Sequence, residues 1–262
     1  TQWLDAVLPS PLYVRSALGG GGAGGGEAAL LPSGFAEAVA QLPGLDRVQP
    51  LRASPLQLSP TLPSLTVLSR PLGDEPAQTL PLVGEALPVP PGRTGVYISE
   101  AVVDLYGLRP GMEWPALSKA FSAQALENHA PAAIFYIAGI WRDYARQTGA
   151  VVMDRAVWLR LTGDARTSDL ALWPSEGTDV SALQASIRAL AAKQAGRQPS
   201  TAAGATTGDS GEALVEFSSA ATIRERSLRI FDRSFAVTYW LQAVAIGIGL
   251  FGVAASFSAQ VL

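Results

Sequence analysis

The sequence predicts an α+β protein in which both ends of the chain build one subdomain and the middle forms a second, inserted one. A strand, a helix and a strand are indicated at residues 12–58, and a similar order recurs at residues 168–218. The segment between them is rich in proline and in short apolar runs, which indicates a β-rich insertion. A long uncharged segment at the C-terminus predicts a helix that enters a membrane.

These signals set the expected boundaries. A discontinuous βαβ-type subdomain has its first half at residues 1–70 and its second half at residues 167–218. The inserted β-rich subdomain occupies residues 71–166, and a stalk with a transmembrane helix occupies residues 219–262. A chain of 262 residues is long enough to bury more than one core.

The first half contains a strand, a short helix and two strands that prolines interrupt. Alternating apolar residues predict a strand at residues 11–18. Ser33 is the expected cap of a helix at residues 34–42, whose apolar residues recur at helical spacing. Residues 46–58 and 62–68 are predicted as strands, but the prolines in and between them suit edge strands and turns, not the middle of a sheet.

A glycine-rich run, GGGGAGGG, occupies residues 19–26. A phosphate-binding loop needs Lys and Ser or Thr directly after its glycines, whereas Glu27, Ala28 and Ala29 follow here. The run therefore predicts a flexible connection and not a nucleotide site.

The inserted segment begins with clear local signals. Residues 96–98 predict a strand, and a helix is expected at residues 100–106, capped by Ser99 and ended by Gly107. A strand or loop is expected next, at residues 113–117.

Aromatic and β-branched residues make residues 132–141 the strongest strand signal in the chain. A further strand is predicted at residues 150–153, and Asp154 is the expected cap of a helix at residues 155–162. Residues 72–92 continue the proline-interrupted strand pattern of the first half.

The second half of the α/β subdomain repeats the strand–helix–strand order. A strand is predicted at residues 168–173, and Asp179 is the expected cap of an amphipathic helix at residues 180–194. A mobile loop of small residues is expected at residues 195–211, before a last strand at residues 213–218.

The C-terminal segment, residues 235–262, carries no charge over 28 residues. As a helix it would extend about 40 Å, whereas the apolar core of a bilayer is about 30 Å thick. A helix that starts near residue 219 would run from the folded body into the membrane and transmit movement. The residues expected to do so are Arg226, Arg229, Phe231, Asp232, Arg233 and Phe235.

The composition argues against nucleic-acid binding and excludes cysteine chemistry. The net charge is −3, which argues against a nucleic-acid partner. The absence of cysteine excludes disulfides and thiolate chemistry. The chain begins at Thr1 without a signal-peptide pattern, so we expect it to be a segment of a longer protein.

The sequence offers few reactive groups at catalytic spacing. His129 is the only histidine and lies in a polar stretch, and no GxSxG, HExxH or EF-hand pattern occurs. The carboxylates of Glu100 and Asp104 are four residues apart on one predicted helix. Asp154 is predicted as a helix cap, and Asp143 as a paired surface group. We therefore expect no catalytic, metal or cofactor site.

Three stretches of the chain resemble permeases of the FtsX-like, MacB-type class of ABC transporters. They are VYISEAVVDLYGLRPGM, FYIAGIWRDYARQTGAVVMDRAVWLRLTG and IRERSLRIFDRSFAVTYWLQAVAIGIGLFGVAAS. The first two are similar to the core of the extracytoplasmic domain of that class, and the third is similar to the start of its membrane helix. The resemblance extends over residues 45–262.

The resemblance implies a permease subunit at the bacterial inner (cytoplasmic) membrane, with most of this segment on the periplasmic side. It implies a cytoplasmic ATPase subunit and a second permease subunit as partners. The domain would couple ATP hydrolysis to the handling of a lipid-linked or extracytoplasmic cargo, such as a lipoprotein or a periplasmic protein. In that class the domain has no catalytic residues, which implies that the chain is not an enzyme.

Two other interpretations fit an anchored body of this kind. One is the ectodomain of a single-span sensor or receptor, and the other is a membrane-anchored hydrolase. Further membrane spans after residue 262 would exclude the receptor.

Overall fold

The computed structural model describes residues 10–16, 30–32, 34–73, 75–76, 79–143, 146, 148–195, 215–219, 242 and 244–249. The chain divides into two compact units, Thr1–Ser218 and Ser219–Leu262. The sheet and the helices that cover it belong to the first unit, except that the last residue of the final strand, Ser219, begins the second unit.

The first unit contains both strands and helices. Within the described residues the strands are β1 (Leu12–Ser16), β2 (Leu45–Leu56), β3 (Leu65–Arg70), β4 (Thr94–Ser99), β5 (Phe135–Trp141), β6 (Ala150–Asp154), β7 (Asp169–Pro174) and β8 (Val215–Ser219). The helices there are α1 (Phe35–Ala40), α2 (Glu100–Tyr106), α3 (Pro115–Glu127), α4 (Arg155–Thr162) and α5 (Val180–Ala195). The predicted α+β class is confirmed.

In the described part of the chain, the strands form one mixed sheet in the order β5-β4-β6-β3-β2-β7-β1-β8. The pairs β3–β6 and β4–β5 are parallel. The pairs β1–β7, β2–β3, β2–β7 and β4–β6 are antiparallel.

The long strand β2 connects two parts of this sheet. Its residues 45–51 pair with β7, whereas residues 52–56 pair with β3 on the other edge. Each residue of β2 thus has a partner strand on one side only. This arrangement explains how a continuous strand in the middle of the sheet contains Pro50 and Pro55, because a proline nitrogen can face the unpaired edge. The expectation that prolines would confine this strand to a sheet edge is therefore wrong.

Side-chain alternation along β2 shows where the apolar cores lie. Val48 packs against one core and Leu56 against a second. Because the two residues are eight positions apart, an even number, both cores lie on the same face of the sheet. Leu51 and Ala53 point to the opposite face and pack against a third cluster.

The two cores on the first face are covered by different helices. We call the first part of the sheet the end-derived half: it comprises β1, β7, β8, residues 45–51 of β2, α1 and α5. The inserted half comprises residues 52–56 of β2, β3, β4, β5, β6, α2, α3 and α4. The end-derived core contains Phe35 of α1 and Ile187 of α5, and the inserted core contains Val102, Phe121 and Trp158 of α2, α3 and α4.

The side chains of β3 pack in the core of the inserted half, although the sequence assigned this strand to the first half of the α/β subdomain. Leu65 and Val67 of β3 are buried in the inserted core, together with Val151 of the neighbouring β6. We propose that the end-derived subdomain stops between Leu51 and Arg52 of β2, earlier than the boundary at residue 70 that the sequence suggests.

Several local predictions are confirmed. The helix α2 has the predicted bounds, and Gly107 ends it in the left-handed conformation with a φ of 66°. Asp154 caps α4 by accepting a hydrogen bond from the Ala156 nitrogen at 2.8 Å. Asp179 likewise accepts one from Ser181 at the start of α5, at 2.9 Å. Short-range capping chemistry was sufficient to locate these helices.

The helix α3 corrects the expected strand or loop at residues 113–117. Pro115 occupies the first turn of this helix, where its missing N–H costs nothing. Leu117, Phe121 and Ala125 are buried at a spacing of four residues, which places them on one face of a helix.

Two predicted serine caps are also corrected. The residue that precedes α1 is Gly34, in the left-handed conformation, and no side chain caps this helix. Ser99 precedes α2, but its hydroxyl accepts a hydrogen bond from the Ala150 nitrogen at 2.9 Å and so ties β4 to β6. Ser33 itself lies outside the described residues.

Residues 72–92 form no regular strand in their described part. They cross the second face of the inserted half, where Leu72, Leu80, Leu82 and Ala86 join the third cluster. Backbone hydrogen bonds from Val83 to Ile140 and from Leu87 to Ala138 attach this segment to the outer edge of β5. The expected strand pattern in this segment is therefore wrong, although it still covers a sheet face.

The expected glycine-rich connection and mobile loop lie outside the described residues, as do most residues of the predicted stalk and membrane helix. Residues 242 and 244–249 are helical. No helix in the described part of the chain has both the length and the apolar character that a membrane crossing requires.

Gly149 provides a test of how tightly the inserted half is packed. It has a φ of +89°, and an added Cβ would lie 2.6 Å from Val102 Cγ2. We expect Gly149→Ala to lower the free energy of unfolding by roughly 2–5 kcal/mol, from left-handed strain plus overpacking. In the control Gly92→Ala, φ is +75° but nothing lies within 4 Å, so the loss should be about 1–2 kcal/mol. Urea unfolding measures both, and equal losses would contradict the packing described here.

Candidate functional site

The only histidine is not part of a polar cluster in the described residues. His129 follows α3 on an exposed turn, with a φ of 53°, and its nitrogen donates to the Leu126 carbonyl at 3.1 Å. Among the residues that the structure describes, no group of three or more His, Cys, Asp or Glu side chains is placed to hold a metal ion.

The carboxylates weighed for catalysis have structural partners. Asp154, besides capping α4, accepts a hydrogen bond from the Leu72 nitrogen at 3.0 Å. Asp143 forms an ion pair with Arg146 at 3.1 Å, but its side chain is only 3% exposed. It is therefore a buried partner and not the surface group that the sequence suggested.

Glu100 and Asp104 share the helix α2 but do not form a joint site with Asp143 or Asp154. Glu100 lies 3.6 Å from Arg142 across an exposed ion pair. Asp104 is exposed. An exposed pair of this kind contributes little to stability, about 0–1 kcal/mol.

The residues expected to couple the body to the membrane lie outside the described residues. They are Arg226, Arg229, Phe231, Asp232, Arg233 and Phe235. Their role stays a prediction from the sequence.

The structure instead brings together polar residues where the two halves meet. Among the described residues, most of the buried polar and charged side chains lie at this junction. We call this set the polar belt: Ser16, Arg52, Ser69, Arg155, Thr167 and Ser168. The belt separates the end-derived core from the inserted core on the same face of the sheet.

The chain passes between the halves twice. The first crossing is residues 51–52 of β2, and the second is residues 163–168, which lead from α4 to β7. The two crossings are adjacent: the Ser168 nitrogen donates to the Leu51 carbonyl at 2.8 Å. The Ser168 hydroxyl accepts from the Ala53 nitrogen at 3.0 Å.

Arg52 is the charged centre of the belt. Its side chain is 5% exposed, and its Nε lies 3.2 Å from an oxygen of Asp164, which is 14% exposed. A second nitrogen of Arg52 donates to the Ala53 carbonyl at 2.5 Å, and the guanidinium lies 6.0 Å from the ring centre of Trp158. This ion pair therefore ties the first crossing to the second.

Other groups of the inserted half hold the second crossing in place. Arg155 donates to the Ala165 carbonyl at 2.7 Å, and the Trp158 indole donates to the Asp164 carbonyl at 2.9 Å. Arg166 adds a second, exposed ion pair to Asp164 at 2.8 Å. Residues 164–166 are thereby fixed to α4.

The charge state of Asp164 follows from these contacts. Burial acts to raise its pKa, but hydrogen bonds from Arg166 and Arg52, and the charge of Arg52, outweigh burial. The pKa of Asp164 therefore lies below its ordinary value, and the carboxylate is ionised at neutral pH.

An ion pair also lies near the junction on the opposite face of the sheet. Arg15 of β1 and Asp169 of β7 are 3.2 Å apart. Here burial dominates and raises the pKa of Asp169, although Arg15 and Arg146 act against it.

The sequence contains one signal for the polar belt, which lies on strand β2. Arg52 occupies the same side of β2 as the inward-facing Val48 and Leu56. A charged residue on an inward face of a strand requires a buried partner. That partner, Asp164, is 112 residues away, so spacing could not identify it.

The Arg52–Asp164 pair should dominate the stability of the belt. We expect Arg52→Met to cost up to about 3–5 kcal/mol of unfolding free energy, because it leaves a largely buried carboxylate with only the exposed Arg166 as its ion-pair partner. Replacing both residues, as Arg52→Met with Asp164→Leu, should recover most of that loss. Arg166→Met removes the exposed partner of the same carboxylate and should cost about 0–1 kcal/mol. Urea unfolding measures these free energies. Equal losses for Arg52→Met and Arg166→Met would contradict a dominant role for Arg52.

Comparison with known proteins gives one match in sequence and several in structure. No protein-family model matches the chain. It is 30% identical over 119 residues to an uncharacterized ABC transporter permease protein of Mycobacterium tuberculosis. That match covers 45% of this chain and 12% of the relative's length.

Solved structures with a similar arrangement have little sequence identity to this chain. The periplasmic region of MacB from Actinobacillus actinomycetemcomitans has a TM-score of 0.49 at 13% identity, over 85% of this chain and 94% of that one. The extracellular domain of the noncanonic ABC-type transporter YknZ from Gram-positive bacteria has a TM-score of 0.44 at 9% identity, over 72% and 89%. The resemblance of this chain to ABC transporter permeases is confirmed by the sequence match with the mycobacterial permease.

Proposed function

We propose that this chain is the extracytoplasmic domain of an ABC transporter permease subunit. In this role it couples ATP hydrolysis in the cytoplasm to the handling of a lipid-linked or extracytoplasmic cargo. The observation that carries the proposal is the 30% identity over 119 residues to a permease of this transporter class. The chain spans only a small part of that relative, so the activity of the whole transporter belongs to the proposal.

The order of the elements supports this role. The last strand, β8, ends at Ser219, where the second unit of the chain begins. The uncharged segment at residues 235–262 follows in that unit and is long enough to cross a bilayer as a helix. A folded body and a membrane helix would thus be consecutive parts of one chain.

The proposed partners follow from the transporter class. They are a cytoplasmic ATPase subunit, a second permease subunit and an extracytoplasmic protein or lipid-linked cargo. The proposed location is the bacterial inner membrane, with the first unit on the periplasmic side. We propose no enzymatic activity and no cofactor for this chain.

The location can be tested by labelling. The chain has no cysteine, so Glu127→Cys at an exposed position adds a single thiol to it. In intact cells that make the full-length parent protein, we expect a membrane-impermeant maleimide to label this thiol above the background of the unsubstituted parent. The matched control is Val151→Cys, which is buried and should react only after denaturation. Labelling of Glu127→Cys only after cell lysis would contradict an extracytoplasmic location.

Coupling through the predicted stalk can be tested at Leu228. Leu228→Pro should break the helix, since proline costs about 3 kcal/mol in a helix interior, whereas Leu228→Ala should preserve it. In the parent transporter assembled with its ATPase in lipid vesicles, a fluorophore at Glu127→Cys reports movement of the body. We expect ATP to change its fluorescence in Leu228→Ala but not in Leu228→Pro, while both hydrolyse ATP. An equal change in both variants would show that the stalk does not couple them.

A further inference from the structure

We propose that the inserted half pivots as a rigid body about the two crossings, residues 51–52 and 163–168, and that Ser168 holds it in the orientation seen here. This inference concerns how the folded chain moves. It holds or fails independently of the transporter function proposed above.

Strand pairing leaves the junction with few backbone links. Residues 45–51 of β2 pair only with β7 and residues 52–56 only with β3, so the hydrogen-bond ladders of the two halves do not overlap. A change of backbone angles at Leu51 and Arg52 can therefore reorient one half while both ladders stay intact. Inserted domains that move by hinge bending depend on a few residues of this kind.

The separate cores keep the free-energy cost of a rotation low. The end-derived core and the inserted core are distinct clusters, and the polar belt lies between them. Rotation at the belt would expose serine, threonine and arginine groups to water, and little apolar surface. Leu51, at the first crossing itself, is the residue of the end-derived half that packs against the third cluster.

Side-chain contacts join the two points at which the chain enters and leaves the inserted half, so this half can move as one body. The Arg52–Asp164 pair, at 3.2 Å, joins its first residue to the second crossing just after α4. Arg155 and Trp158 fix residues 164–166 to α4. The compliant part of the second crossing is therefore the short stretch between Arg166 and Ser168.

In the described residues, the contacts from one half to the other include several polar ones and the packing of Leu51 against the third cluster. The Ser168 hydroxyl accepts from the Ala53 nitrogen at 3.0 Å and lies 3.3 Å from the Ala53 carbonyl. Next to these groups is a cleft of about 330 Å³, lined by Gly34 on the side of α1 and by residues 163–166 on the other. The cleft gives the two halves room to approach each other on the helix-covered face.

Pairs of spin labels on the full chain test the pivot, because the chain has no cysteine of its own. Ala123→Cys on α3 with Ala185→Cys on α5 reports the distance between the halves, and both positions are exposed. Ala123→Cys with Glu85→Cys lies wholly within the inserted half. We expect the distance distribution between the halves to be about twofold broader than the one within the inserted half. Equal widths would overturn the proposal.

The role of Ser168 has a matched control. Ser168→Ala removes the hydroxyl that links the halves and should broaden the distribution between them, with no change within the inserted half. Ser10→Ala also removes a buried serine hydroxyl, but that hydroxyl bonds to Leu12 and Leu172 inside the end-derived half. It should change neither distribution. The same broadening in both serine variants, or in neither, would overturn the assignment of Ser168.

Hydrogen exchange on the unsubstituted chain gives a test that no variant can confound. The amides of Ala53 and Ser168 should exchange faster than those of Val67 and Leu172, which lie inside the two halves. Equal protection at all four amides would overturn the pivot.

Discussion

One-sided pairing of β2 is the constraint on which the rest of the fold depends. A strand inside a sheet normally satisfies its backbone on both edges along the same residues. Here the partner changes from β7 to β3 after Leu51. The strands still form one sheet, but no residue of β2 is paired to both neighbouring strands. Pro50 and Pro55 fit this pattern, because a residue with one paired edge can lack an N–H toward the other. The two halves can therefore carry separate cores on one face.

The polar belt lies where the hydrogen bonding of the sheet is divided, between the two cores. Burying Arg52 and Arg155 away from water is costly unless each donor has an acceptor. Asp164 and the carbonyls of residues 53, 165 and 166 provide these acceptors, and they lie on or next to the two crossings. The groups that connect the halves are thus the same groups that satisfy the buried charges. Such a network specifies geometry strongly, since a misplaced crossing would leave a buried charge without its partner.

This organisation suits a domain that receives and transmits movement. In the proposed pivot, the inserted half has its own core and the Arg52–Asp164 pair at its start, and it would move as a unit. The apolar contact that such a movement would strain is that of Leu51 with the third cluster. The end-derived half contains β8, the strand that leads to the second unit of the chain. In the proposed permease, that strand would connect the body to the membrane, and the inserted half would be the more distant part along the chain.

The sequence by itself determined the elements whose signals are local. Asp154, Asp179 and Gly107 located three helices because a cap and its helix are neighbours in the chain. The uncharged C-terminal segment is likewise a property of consecutive residues. Local signals are ambiguous where they compete, as at α3, where Pro115 fits both a turn and the first turn of a helix.

Only the tertiary structure decided which strands pair and which charges meet. The change of partner along β2 depends on β3 and β7, which are about 100 residues apart in the chain. Arg52 and Asp164 are separated by 112 residues, and Ser168 and Ala53 by 115. No periodicity or spacing brings such residues together. Their contact follows from the packing of the whole sheet, and for this reason the polar belt could be seen only in the folded chain.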